Sequence, residues 1–196
     1  MAAILILDFM KHLLILLFLA TNSILSAQPY VNKIYPSFGG APAPAILVDD
    51  SSYVVASTYI LGLKTIHFGR LDINGTTIVT KPYTFPTNSY TGTCSKCLKQ
   101  KNGEYYYAQT NFLQGDSNYV KFWKLDQNLD TLFTKNHIEF EGKQPRIYDL
   151  EFDSDSTFMV SGYVFSINAG IGKYDLWVAK FDTAFNAIWQ RRIEDN

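Results

Sequence analysis

The sequence predicts an all-β chain made of three copies of one four-stranded antiparallel sheet, and three observations predict it. The first is a phrase written three times. Ile66 to Lys81 reads IHFGRLDINGTTIVTK, Val120 to Lys135 reads VKFWKLDQNLDTLFTK, and Asp175 to Arg191 reads DLWVAKFDTAFNAIWQR. Aligned on Asp72, Asp126 and Asp182, each copy has a large apolar residue before the Asp (Leu71, Leu125, Phe181) and a basic residue before that (Arg70, Lys124, Lys180). Six residues past the Asp stand Ile78, Leu132 and Ile188. The Asp residues are 54 and 56 apart, a period that marks a repeat architecture. The second observation is an independent anchor, Tyr53, Tyr105 and Phe158, spaced 52 and 53 residues apart. The third is that the strand leading into each Asp is apolar on both faces. Ile66 and Phe68, Val120 and Phe122, Leu176 and Val178 line one face; Leu71, then Trp123 and Leu125, then Trp177 and Phe181 line the other. Such a strand needs cover on both sides, which stacked neighbouring sheets supply.

Taken in order, residues 1–27 read as a cleavable secretory signal. Lys11 precedes a short apolar core, Leu13 to Ala20, followed by a polar break at Thr21 to Ser23 and a small-residue exit at Ser26 and Ala27. A membrane span needs about 20 consecutive apolar residues, more than this core provides. The chain is therefore expected to be secreted or at the cell surface, cut after Ala27, with no span left. Residues 28–44 carry a lone outer strand, Tyr30 to Gly40, and a linker. The first sheet, residues 45–93, has strands at Ala45 to Asp49, Tyr53 to Tyr59, Ile66 to Leu71 and Thr77 to Lys81, with turns at Asp50-Ser51 and Asn74-Gly75. In the second, residues 94–145, the strands are Leu98 to Lys101, Tyr105 to Thr110, Val120 to Leu125 and Thr131 to Lys135. Its Asn102-Gly103 turn is the strongest short hairpin signal, because both residues tolerate positive φ. The third sheet, residues 146–196, has strands at Leu150 to Phe152, Phe158 to Val164, Leu176 to Phe181 and Ala187 to Arg192. Four-stranded antiparallel sheets of roughly 40 to 50 residues each describe the blades of a β-propeller, about three of them, in a partial ring.

The residues Arg70-Leu71-Asp72 with Asn74-Gly75, and the passage Phe38-Gly39-Gly40 into DDSSYVVAST, resemble the propeller repeats of secreted bacterial surface proteins, the delta-60-like and related families. The resemblance covers residues 30 to 193. It implies the propeller fold and export; these families carry no shared catalytic motif, so it implies little about activity. One departure is that Leu129 and Phe185 replace Gly75 in the later copies, so those turns are expected to differ in geometry.

Propellers typically need four or more blades to close. The expected partners are therefore the remaining blades of a longer chain or another copy of this one, with an extracellular glycan or protein as ligand. Tyr30 to Gly40 is expected to complete the outer edge of the last blade, and deleting Gln28 to Gly40 from a full ring should then cost stability. The net charge is −1, with no basic stripe beyond Lys96, Lys99 and Lys101, which argues against nucleic acid as a partner.

The chemistry-bearing residues are few. Cys94 and Cys97 leave two alternatives open, a local disulfide or free thiols. In an extended strand their Cα atoms would lie about 10 Å apart, so a bond requires a turn there. Four ligands for a structural zinc are not in sight. Asp153-Ser154-Asp155-Ser156-Thr157 opens like a calcium loop but lacks its Gly and closing carboxylate, and reads as an acidic hairpin turn. Asp72, Asp126 and Asp182 recur as a turn device would, accepting backbone hydrogen bonds in the turn each one opens. Tyr105 to Tyr107, Trp123, Trp177 and Trp189 could stack on sugars, but alternation places most of them in blade packing. His67 and His137 stand in different copies without partnered carboxylates. Asn74-Gly75-Thr76 is a formal glycosylation sequon that the turn already explains. No nucleophile elbow or phosphate loop is present, and no cofactor is implied. A non-catalytic scaffold or binding module is the reading; a propeller enzyme acting on extracellular polysaccharide, or a carbohydrate-binding propeller, is the alternative.

Overall fold

The computed structural model describes residues 45–49, 51–59, 65–85, 89–92, 94, 96–113, 119–137, 144–168 and 171–193. The chain divides into two units, Met1–Lys33 and Ile34–Asn196, and every described residue belongs to the second. The expected leader at 1–27, the expected outer strand and linker at 28–44, and Asp50 lie outside the described residues.

Among the described residues, thirteen strands form three antiparallel sheets. The first runs β1 (Ala45–Asp49), β2 (Ser52–Tyr59), β3 (Thr65–Asp72), β4 (Thr77–Thr84) in that order. The third repeats it with β10 (Gln144–Phe152), β11 (Thr157–Asn168), β12 (Ile171–Asp182) and β13 (Ala187–Ile193). Between them lie β5 (Ser89–Gly92), β6 (Leu98–Lys101), β7 (Glu104–Leu113), β8 (Tyr119–Leu125) and β9 (Thr131–His137). The described residues contain no helix, and the fold is a partial β-propeller of about three blades.

The second sheet differs from the simple meander in one respect. Its first rail is broken: β6 pairs with Glu104 to Tyr107 of β7, while β5 pairs farther along with Thr110 to Leu113. Ser89 to Gly92 therefore joins the second sheet, so the expected division at residue 93 falls inside this rail. Cys94 and Cys97 are joined by a disulfide across the break, with their Cα atoms 5.3 Å apart, and Ala108 N–H still donates to the Cys97 carbonyl (3.2 Å). The break supplies the turn that such a short link needs. Opening the bond with a Cys94→Ser, Cys97→Ser pair should cost about 2 kcal/mol by loop-closure entropy, read from urea midpoints of the two forms.

Each β3-type strand enters its β4-type partner through the same turn. Gly75 N–H donates to Asp72 O (2.9 Å), Leu129 N–H to Asp126 O (3.0 Å) and Phe185 N–H to Asp182 O (2.9 Å). The register shifts by one residue at Arg70/Leu71, Lys124/Leu125 and Lys180/Phe181, the mark of a bulge that follows a left-handed residue. That residue is Gly75 (φ 75°), Leu129 (φ 63°) and Phe185 (φ 61°). The expected difference in geometry is thus absent. A side chain in the left-handed region costs about 1–2 kcal/mol, but Leu129 and Phe185 are both buried in the core. Burying a side chain of that size returns about 1.5–3 kcal/mol, so burial holds the strained conformation.

The core runs continuously through all three sheets. The sheets approach one another along their first strands, β1 beside β6 and β10 beside β6 and β7, with Lys96 bridging Asp149 in parallel. Between the first two sheets, Phe68 meets Tyr107 and Trp123 edge-on, both at 5.5 Å. Between the second and third, Phe122 packs on Phe181 (4.8 Å) and Phe185 (5.1 Å).

Candidate functional site

Each recurring Asp accepts backbone N–H from its own turn. Asp126 Oδ1 accepts the backbone N–H groups of Asn128 and Asp130 (both 2.8 Å). Asp182 Oδ1 accepts those of Ala184 (2.9 Å) and Asn186 (2.8 Å), while Asp72 Oδ1 accepts that of Thr76 (2.6 Å). Burial raises the Asp182 carboxyl, but the hydrogen bonds from Asn186 and Ala184, with the nearby Lys135, outweigh it and leave the pKa below its ordinary value of 3.8. A depressed folded-state pKa contributes stability above the unfolded value, lost as pH falls through the folded one. Wild type should therefore lose stability relative to Asp182→Asn as the pH drops below about 4, which paired urea melts from pH 6 to pH 2.5 would measure.

The remaining candidates are likewise built into the frame. In the Asp153 to Thr157 turn, Ser154 Oγ accepts the Thr157 N–H (3.1 Å), Asp153 pairs with Lys180 and Asp155 pairs with Lys101 (2.6 Å). Tyr105 lies buried, donating its hydroxyl to Asp49 and accepting from Arg70 Nη2 (2.7 Å). Burial, then the Asp49 hydrogen bond, push its pKa up to about 12, which keeps the phenol a donor. Burial lowers the His67 imidazole. His137 sits at a different junction, edge-on to Phe181 (5.2 Å) and 3.2 Å from Gln190 Oε1. Among the described residues, no group of three or more His, Cys, Asp or Glu side chains is placed to hold a metal ion.

The structure offers instead one broad face. Directly paired residues in antiparallel strands share a face, and the register Tyr163↔Leu176↔Ile193 aligns these three across β11, β12 and β13. Val178↔Arg191 and Lys180↔Trp189 continue the same face. Tyr163 meets Tyr148 at a tilt (ring centroids 5.3 Å apart) and Tyr174 edge-on (5.0 Å), and the Phe165 ring lies 4.8 Å from that of Tyr174. Burial, then the neighbouring Tyr148, raise the Tyr163 phenol. Tyr148, Tyr163, Tyr174, Asp175 and Leu176 line an open depression of about 510 Å³. Tyr148 and Tyr174 are each 60% exposed and Leu176 is 49% exposed. The equivalent face of the second sheet is closed, Val120 and Phe122 being wholly buried under the third. Asp175 points to the opposite side, where Arg192 Nε pairs with it at 3.3 Å.

Sequence reasoning placed Leu176 and Val178 on this face but missed the tyrosines. Tyr163-x-Phe165 and Tyr174-x-Leu176 are alternations legible in the sequence as extensions of the two strands. Tyr148 was not legible, because it stands at the register shift between Ile147 and Asp149, set by the pairing partner rather than by its own neighbours.

No family model matches the sequence, and no curated protein does. Solved structures match in fold. An apocarotenoid oxygenase variant from Synechocystis superposes with a TM-score of 0.51 at 12% identity, over 78% of this chain and 38% of that one. The subtype N11 neuraminidase-like protein of A/flat-faced bat/Peru gives a TM-score of 0.50 at 16% identity, over 77% of this chain and 38% of that one. The chain thus spans well under half the length of either, and the likeness is one of propeller-like fold.

Proposed function

We propose that this chain is an exported, non-catalytic β-propeller scaffold and binding module, working at the cell surface or outside the cell as part of a larger propeller. The observation that carries the reading is how the ionisable groups are used. The recurring Asp, Lys and Arg side chains hold turns and blade junctions, and the exposed depression on the third sheet is lined by three tyrosines, one leucine and Asp175, whose carboxylate is turned to the opposite side against Arg192. Hydrolysis of a glycosidic bond ordinarily takes two carboxylates flanking the bond; a face of rings suits recognition. The leader at 1–27 and the resemblance to secreted bacterial propeller repeats support export.

The reading is tested in two parts. Expressed with its leader in a secreting host, the protein should appear outside the cytoplasm with a mass that starts at Gln28 and lacks the two hydrogens of a Cys94–Cys97 dithiol. Purified protein should release no reducing ends from a panel of bacterial polysaccharides. Release of reducing ends that copurifies with the folded protein and is lost on its thermal unfolding would establish an enzyme and end the scaffold reading.

A further inference from the structure

The two junctions inside the fan share one construction. Counting from the turn Asp, the ninth residue reaches across to the fourth residue of the next sheet's turn: Lys81 to Asp130 (2.8 Å) and Lys135 to Asn186. The eleventh also crosses. Tyr83 donates to the Leu129 carbonyl (3.1 Å), and His137 packs on Phe181 and reaches Gln190. Between these arms, the apolar pairs Ile66/Phe68 and Val120/Phe122 lie fully buried. The receiving side offers a large side chain at the left-handed position, Leu129 or Phe185, and an oxygen one residue later, Asp130 or Asn186.

The third sheet carries the reaching half of the same construction, and among the described residues nothing occupies it. Arg191 and Ile193 hold the ninth and eleventh places, and Leu176 and Val178 the apolar pair. Arg191 makes no ion pair among the described residues, and Ile193 and Leu176 are exposed. The first sheet of another copy is a poor occupant, since its receiving turn has Gly75 and Thr76 in place of a large side chain and an amide or carboxylate. Its own Val55 and Leu71 are also already buried.

We propose that the open face of the third sheet docks a further four-stranded blade of this repeat, one whose turn presents a large apolar residue at the Phe185 position and a carboxylate or carboxamide at the Asn186 position. This names the occupant of the face that the scaffold reading leaves unspecified, and rests on that reading. Arg191 would take the oxygen acceptor, and the row Tyr163, Leu176, Ile193 would go under the incoming apolar residues as Val120 and Phe122 do under the third sheet.

The test extends the full chain by a second copy of residues 138–196 fused after Asn196, which supplies a blade with the right receiving turn. A Leu176→Cys substitution in the first copy gives a reporter thiol, Cys94 and Cys97 being bonded. Maleimide labelling of that thiol should be fast in the unextended chain and about tenfold or more slower in the extended one, where it waits on local opening. Phe185→Asp in the appended copy should restore fast labelling. Unchanged labelling on extension, or protection that survives Phe185→Asp, would overturn the proposal. A second measurement does not use the thiol: Arg191→Ala with Ile193→Ala in the first copy should lower the urea midpoint of the extended chain and leave the unextended chain unchanged, and equal losses in both would also overturn it. Protection in the unextended chain accompanied by a doubled mass, or brought on by soluble polysaccharide, would assign the face to a second copy or to a glycan and reject the blade. Failure of the scaffold reading shows separately, as release of reducing ends by the unextended chain.

Discussion

Phe185→Ala is expected to destabilise the protein by about 3–5 kcal/mol, the range for removing a buried aromatic side chain. Phe185 is 2% exposed, stacks on Phe122 (5.1 Å) and Phe133 (5.7 Å), and meets Tyr106 and Phe158 edge-on at 6.0 and 5.9 Å. One ring thus joins both sheets of the second junction. The left-handed φ of 61° gives the experiment an internal control. Phe185→Gly removes slightly more apolar surface than Phe185→Ala, yet it also relieves a backbone cost of about 1–2 kcal/mol. The Gly variant should therefore be no less stable than the Ala variant, a reversal of the usual penalty for Gly in or beside a strand. Urea melts followed by tryptophan fluorescence would rank the three proteins; a Gly variant clearly below Ala would mean that the turn carries no strain.

Gly162→Ala should be comparably damaging for the opposite reason, too much volume rather than too little. A Cβ built on Gly162 would sit 1.9 Å from the Arg146 carbonyl oxygen and 3.1 Å from Ile147 Cα, backbone atoms of the paired strand β10. Nothing there is a flexible side-chain end that can swing aside. The register shift between Ile147 and Asp149 lies at the same place, so β10 leans into β11 where only a hydrogen fits. The expected loss is at least about 1–3 kcal/mol. It should be concentrated in the pairing of β10 with β11, read as faster amide exchange at 146–152 than at 131–137. Uniform protection across both segments would show that the strand accommodates the methyl group.

These two residues also mark where the sequence was readable and where it was not. The repeat, its period and the strands around Tyr53, Tyr105 and Phe158 were legible because alternation and turn chemistry are local. The Asn102-Gly103 hairpin was legible for the same reason, and both residues adopt positive φ, 52° and 76°. The identity of the three Asp turns was obscured because Leu129 and Phe185 do not look like left-handed residues. Their conformation is dictated by the neighbouring sheet, which no local pattern reports. The broken rail of the second sheet was hidden likewise, since Ser89 to Gly92 follows β4 in the chain but pairs with β7. As for the candidate site, the apolar pair Leu176 and Val178 was visible in the repeat, whereas its exposure was not. That depends on what stands beside the third sheet, a property of the assembly and not of the strand.

The last strand has a further consequence. All seven residues of β13 are exposed, and among the described residues it forms one margin of its sheet with β12 as its only neighbour. A margin carrying Ile188, Trp189 and Ile193 would invite edge-to-edge self-association and fibrous aggregation during synthesis. Gln190, Arg191 and Arg192 interrupt the apolar residues, and two adjacent cations brought against their own copies repel. They act as gatekeepers, so neutralising Arg191, which makes no ion pair among the described residues, should turn a soluble preparation into one that precipitates on concentration, without any change in how an individual molecule is folded; Arg192, which holds the buried Asp175, is left in place.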